Sequence, residues 1–209
     1  MKRYTSLILF LFLALSSFSQ SDSTSKKIYF VVKTDLFLPT VGLINGFKEA
    51  SLTFETCFKQ RHSIQLTGLF FDYDNEYIPS HPEYHHNKQN TYQLIPEYKY
   101  FIHKKNYSRL YIGIYAKYIN HYKLLEDNIS GIPYSSYSYV EIIQNSIAGG
   151  ALVGYQINCN KRIILDFLVG LGYRKAYNTK IIKLVNVGIG ELETSYPDAR
   201  IAINLGFRF

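Results

Sequence analysis

The feature that most constrains this chain is an alternation of period two that recurs eight times and sorts charge to one side. Successive residues of a strand face opposite ways, so such alternation predicts strands with one apolar and one polar face. It places strands over 28–36, 48–58, 62–71, 91–102, 109–119, 146–157, 162–174 and 199–209. One parity is apolar, with Ile28, Phe30, Val32 and Leu36 in the first segment and Ile201, Ile203, Leu205, Phe207 and Phe209 in the last. The other holds Lys33, Asp35, Glu49, Glu55, Glu97, Lys99, Arg109, Lys117, Arg162, Asp166, Arg174, Arg200 and Arg208. It also carries Gly113, Gly150, Gly154, Gly170, Gly172 and Gly206, small residues suited to a narrow closed interior.

A face free of charge is what hydrocarbon demands, because Arg or Lys on the lipid side at mid-bilayer costs roughly 2 to 4 kcal/mol. Backbone groups in lipid must also be satisfied internally, so strands can span a membrane only when closed on themselves. The predicted fold class is therefore all-β, an eight-stranded antiparallel up-and-down transmembrane β-barrel. Gaps alternate between long (37–47, 72–90, 120–145, 175–198) and short (59–61, 103–108, 158–161), which puts the short turns and both termini on the periplasmic side. Tyr92, Tyr100, Tyr118, Tyr155 and Tyr173 stand towards the ends of the apolar face, where interfacial girdles occur. The structural rival is a secreted soluble barrel of the lipocalin kind, with its apolar face turned inward around a ligand. Pro96 lacks the N–H that a ladder needs, so a bulge is expected there.

Export is written at the N-terminus. Lys2 and Arg3 precede an apolar run from Leu7 to Leu15 and the small residues Ser16, Ser17 and Ser19, the pattern of a secretory signal peptide over 1–19. Residues 20–209 then form the barrel domain. The formal charge of +7 falls when Lys2 and Arg3 are removed, and the remaining basic residues alternate along strands instead of clustering, which excludes nucleic-acid binding. Cys57 and Cys159 enter a compartment that permits disulfides, and both fall near the periplasmic end, so their pairing is left open.

The last strand, Ala199-Arg-Ile-Ala-Ile-Asn-Leu-Gly-Phe-Arg-Phe209, resembles the C-terminal signal recognised by the outer-membrane assembly machinery. Val32-Lys-Thr-Asp-Leu36, Ala50-Ser-Leu-Thr-Phe-Glu55, Ile95-Pro-Glu-Tyr-Lys-Tyr100 and Tyr111-Ile-Gly-Ile-Tyr-Ala-Lys-Tyr118 resemble a family of small outer-membrane barrels of unknown function, similar to eight-stranded barrels of the OmpX and OmpA type. The resemblance implies an outer-membrane location, a barrel fold and recognition by the assembly machinery through Phe209. It implies no catalytic residue.

Candidate sites follow from the faces. Lys33, Asp35, Glu55, Glu97, Lys99, Arg109, Lys117, Asp166, Arg200 and Arg208 form the expected lumen charge network, which either plugs the bore with ion pairs or lines a narrow pore. His81, Glu83, His85 and His86 are transition-metal ligand types within one long loop, without a familiar zinc spacing. Tyr134, Tyr137 and Tyr139 alternate with serines in the third long loop, a composition suited to adaptable surface contacts. A lipid A-modifying enzyme would need a nucleophile beside a base. His62 and Ser63 are adjacent and so face apart, His121 has only Glu126 nearby, and His103 and Ser108 sit on the periplasmic side. The expectation is a monomeric, non-catalytic barrel without cofactor or resident metal. Its partners would be outer-membrane lipid, lipopolysaccharide and a surface contact made through long outer loops.

Overall fold

A computed structural model describes residues 28–37, 40, 48–58, 61–77, 83–104, 108–129, 136–183 and 195–209. Residues 1–27, with the expected signal peptide, lie outside them, as do His81 and Tyr134. The strands are β1 (Tyr29–Asp35), β2 (Lys48–Phe58), β3 (His62–Tyr77), β4 (Glu83–Lys104), β5 (Ser108–Ile129), β6 (Ser136–Asn158), β7 (Ile163–Lys183) and β8 (Ser195–Arg208). Each pairs antiparallel with its sequence neighbours, and β1 pairs with β8, so the sheet closes. The seam runs from Val31 opposite Arg208 to Asp35 opposite Asn204, and the Phe209 amide donates to the Phe30 carbonyl at 3.0 Å.

The apolar parity faces outward. Ile64, Leu94, Ile112, Ile114, Ile147, Val169 and Ile201 are all exposed, with Leu171 at 72%. The charged parity faces inward, where Lys33, Asp35, Glu55, Glu97, Lys99, Arg109, Lys117, Asp166 and Arg200 are buried. This is the reverse of a soluble ligand-binding barrel, and it is the arrangement in which an apolar belt meets lipid. Tyr92, Tyr118 and Tyr173 mark one rim of the belt, and Tyr155, Phe207 and Phe209 the other.

The inward face is not wholly polar. Ile95, Phe101, Tyr111, Tyr115, Leu152, Leu168 and Ala202 pack into a core inside the bore. Glycine makes this possible at one decisive place, since a Cβ on Gly154 would overlap the Tyr111 ring. Gly172 likewise leaves room for the Tyr115 hydroxyl, where a Cβ would stand 2.7 Å away.

Three expectations are corrected. The segments 72–90, 120–145 and 175–198 are not long loops, because β3 to β7 continue through most of them. Outside the bilayer the outer face need not be apolar, so the alternation that reveals a strand in lipid disappears while the backbone ladder goes on. β4 and β5, at 22 residues each, run about 70 Å, well over what a tilted strand needs to cross hydrocarbon. Pro96 makes no bulge: Leu94–Tyr118 and Glu97–Tyr115 keep one offset across the gap in pairing to β5 at Ile95 and Pro96, and Pro96 still pairs with Leu66. In an antiparallel sheet a residue directs its N–H and C=O to the same neighbour, so the missing donor weakens only the β5 side. Register shifts occur instead between Phe101 and His103 and between Asn145 and Ser146. Arg162, assigned to the lumen face, stands exposed in the turn before β7, with its guanidinium 6.0 Å from the Phe207 ring centroid.

The belt makes a direct prediction. Ile114 is 63% exposed among apolar neighbours, and Ile114→Lys is expected to destabilise the barrel in lipid vesicles by about 2 to 4 kcal/mol. Urea unfolding measures it, and a neutral substitution would contradict a lipid-facing Ile114.

Candidate functional site

Strand register brings charges from distant parts of the chain together in the middle of the bore. Lys33 on β1 reaches Glu55 at 2.6 Å and Asp166 at 2.5 Å. Lys99 on β4 donates to the same Asp166 oxygen at 2.8 Å and to Gln65 Oε1 at 2.8 Å. The Tyr111 hydroxyl donates to the other Asp166 oxygen at 2.6 Å, and Ser63 donates to Glu55. All four charged side chains have no exposure at all. Such burial costs several kcal/mol per ion unless partners and hydrogen bonds compensate. Here two cations face two anions, Gln65 Oε1 accepts from both lysines, and Ser63 and Tyr111 donate to the carboxylates. Gln65 extends the network to Glu97 at 3.0 Å, and Glu97 pairs with Arg200.

At the end that holds the short turns, Tyr29 is held between two cations. Arg109 donates to its hydroxyl, and the Arg208 guanidinium lies 4.5 Å from its ring centroid while donating to Asn158 at 2.6 Å. Towards the outside, Lys117 donates to Asp198 at 2.8 Å, and the Tyr115 hydroxyl donates to the second Asp198 oxygen at 2.8 Å. Asp198 is absent from the expected network because the predicted last strand begins at Ala199. Extending the period by one residue, with the parity of Arg200, includes it.

Above this tier lies a cavity of about 550 Å³ lined by Asp35, Glu49, Lys117, His121, Arg174 and Arg200, among others. Asp35 is tied into the wall, accepting from the Phe37 amide at 2.9 Å and the Ile203 amide at 3.3 Å. His121 bonds Thr91 through Nδ1 at 2.8 Å, and Arg174 donates to Ser146 at 3.2 Å while stacking on Tyr196.

The remaining sequence candidates disperse. His86 is not in a loop but on β4, bonded to Asp74 of β3 at 2.8 Å and to Glu126 of β5 at 3.2 Å. Glu83 and His85 are also strand residues. Among the described residues no group of three metal-ligating side chains converges. Tyr137 and Tyr139 belong to strand β6 and not to a loop, and the Tyr139 hydroxyl donates to Glu141 at 3.0 Å. His62 faces outward against Tyr98, whereas Ser63 is buried on Glu55, so the two do not meet. Cys57 is a buried free thiol and Cys159 an exposed one.

Residues 7–205 match the family described as "Protein of unknown function (DUF3575)". The chain belongs to this family. No curated protein matches it. Among solved structures, neisserial surface protein A shares 12% identity with a TM-score of 0.46, covering 89% of this chain and all of that one. Ail, the attachment invasion locus protein of Yersinia pestis, shares 16% with a TM-score of 0.39, covering 88% and 97%. A major outer membrane protein of Thermus thermophilus shares 10% with a TM-score of 0.45, covering 89% and 100%. Likeness at these scores carries no argument, and the DUF3575 chain is a membrane-spanning barrel by its own belt and closure.

Two measurements test this site. Asp166→Asn leaves Lys33 and Lys99 without their shared carboxylate and is expected to cost about 3 to 5 kcal/mol in unfolding free energy, whereas a loss near zero would mean the network does not brace the barrel. The second concerns Asp74 and His86, which lie beyond the Phe70–Tyr92 rung of the outer girdle and so outside the bilayer. The hydrogen bond to Asp74, then that to Glu126, raises the His86 pKa above the ordinary imidazole value. The hydrogen bond to His86, ahead of Lys88, lowers that of Asp74. The His86 contribution is complete below the unfolded imidazole value and fades as pH rises through the folded one. The Asp74 contribution is complete above the unfolded carboxylate value and fades as pH falls through the folded one. The contact is therefore strongest between the two unfolded values, about pH 4 to 6.5. Titration of the His86 ring by NMR should give a midpoint that falls in Asp74→Asn, and an unchanged midpoint would count against the contact.

Proposed function

We propose that this DUF3575 protein is a closed, non-catalytic barrel that acts at the cell surface through the strand wall it raises beyond the membrane. The observation that carries this reading is the contrast between the two halves of the molecule. The mid-lumen is filled by Lys33, Glu55, Lys99 and Asp166 without exposure, and an eight-stranded barrel is only just wide enough for its own side chains. β4, β5, β6 and β7 meanwhile continue for 21 to 23 residues each. Their outer portions, with that of β3, present Asp74, His86, Lys88, Glu126 and Tyr139 to the surroundings. The sheet replaces the loops as the contact surface, with Tyr137 and Tyr139 as strand residues within it. Lipid and lipopolysaccharide are its immediate partners on the belt and rim. The protein acts as a monomer, and Phe209, packed on Phe207 with centroids 5.1 Å apart, is the handle for the assembly machinery. The role needs no cofactor.

Crosslinking on intact cells, comparing the native chain with one whose β5–β6 hairpin is cut back to the girdle, tests the reading. Crosslinks to a surface partner should disappear with the hairpin while the barrel still folds. Crosslinks unaffected by the cut would place the role elsewhere, and discrete conductance steps in a planar bilayer would overturn the closed lumen.

A further inference from the structure

The outward-facing cavity holds two charges left unmatched among the described residues. Of its cations, Lys117 is paired with Asp198 and Arg200 with Glu97. Of its carboxylates, Asp35 is bonded to backbone amides in the wall. Arg174 and Glu49 have no such match: Arg174 meets a serine hydroxyl and a tyrosine face, and its Nε has no partner, while Glu49 Oε1 is buried without one. The two do not pair with each other. Asn204 and Arg200 also line this cavity, on side chains more than nine-tenths buried. Two opposite charges, a carboxylate and a guanidinium, thus line one space without an ionic partner among the described residues.

Charge-assisted hydrogen bonds are about twice as strong as neutral ones, and a single ligand carrying both signs could make one to each of these half-buried side chains. We infer that this cavity binds a small zwitterionic molecule of the amino-acid or short-peptide class. Its carboxylate lies on Arg174 and its ammonium on Glu49. A volume of about 550 Å³ falls within the range of small-molecule sites, about 300 to 1,000 Å³. The packed network of Lys33, Lys99, Glu55 and Asp166 forms the floor beneath, so the ligand arrives and leaves on the outer side and is bound without being carried through. This goes beyond the surface-contact role and does not depend on it.

The test is titration of the folded full-length barrel, in micelles or lipid nanodiscs, with glycylglycine, N-acetylglycylglycine and glycylglycinamide. Binding is followed by calorimetry and by NMR shifts of residues lining the cavity. Glycylglycine should bind saturably, and each blocked peptide about ten-fold or more weakly, the loss expected for one charge-assisted contact. Glu49→Gln should abolish the advantage of the free ammonium alone, and Arg174→Gln that of the free carboxylate alone. The blocked peptides keep the question answerable on the native protein should either variant fail to fold. Absence of saturable binding at millimolar peptide, meaning a cavity that holds water only, would overturn the assignment. Equal affinity for the blocked peptides would do the same.

Discussion

Two lysines sharing one carboxylate inside a closed ring of strands determine most of what this barrel can be. Asp166 lies on β7, Lys33 on β1 and Lys99 on β4, so one cluster ties together strands that are not neighbours in the sheet. Because the side-chain period is two, a slip of a single residue in any of these strands would send its charge into lipid and its apolar partners into the bore. Both halves of that exchange are unfavourable: the charge loses its partners, and the tube gains groups that cannot satisfy those left behind. The register is thus fixed from inside by ion pairing and from outside by hydrocarbon, with the same alternation read twice. Replacing such a cluster by apolar residues of similar volume is often neutral for stability in other proteins, so its contribution here is better understood as selecting one register than as added stability.

How much of this was legible follows from the physics of each part. Within the bilayer the sequence alternation is enforced by lipid, and it identified the faces of all eight strands and the lumen positions of Lys33, Glu55, Lys99 and Asp166. Arg162 carried the right parity but fell in the β6–β7 turn, where parity no longer specifies a face. Asp198 was hidden by a boundary drawn one residue late. The apolar lining of the lumen, Ile95, Leu152 and Leu168 among it, was concealed for another reason: a rule that sorts charge says nothing about which uncharged residues accompany it inward.

The outer wall was invisible for the converse reason. Above the girdle both faces of the sheet meet water, and Asp74, Lys88, His86 and Glu126 could follow one another on the outer face without penalty. A change of register at Asn145/Ser146, opposite the Asn178–Ala176 stretch of β7, also breaks the period where the strand leaves the belt. What holds the wall there is the antiparallel ladder itself, continued from Asn120–Asn145 to Ile129–Ser136, with cross-strand pairs such as Asp74–His86. Pairs of this exposed kind contribute only tenths of a kcal/mol to about one, so the wall is stabilised mainly by being rooted in a rigid barrel.

That rooting is uneven, and the unevenness shapes the mouth. β1 stops at Asp35 and β2 begins at Lys48, while β3 to β7 rise well past them. The cavity therefore has a low rim carrying Asp35 and Glu49 and a high wall carrying His121 and Arg174. A chain that matches every charge in its mid-lumen leaves Glu49 and Arg174 unmatched a short way above, in a space open to the outside. Had stability been the only constraint, a single substitution at either position could have removed the mismatch, because neither side chain braces the network below. Both residues instead line the same volume from different strands, without a bond between them. Paired charges fill the mid-lumen, and charges without an ionic partner stand where a ligand from outside would first arrive.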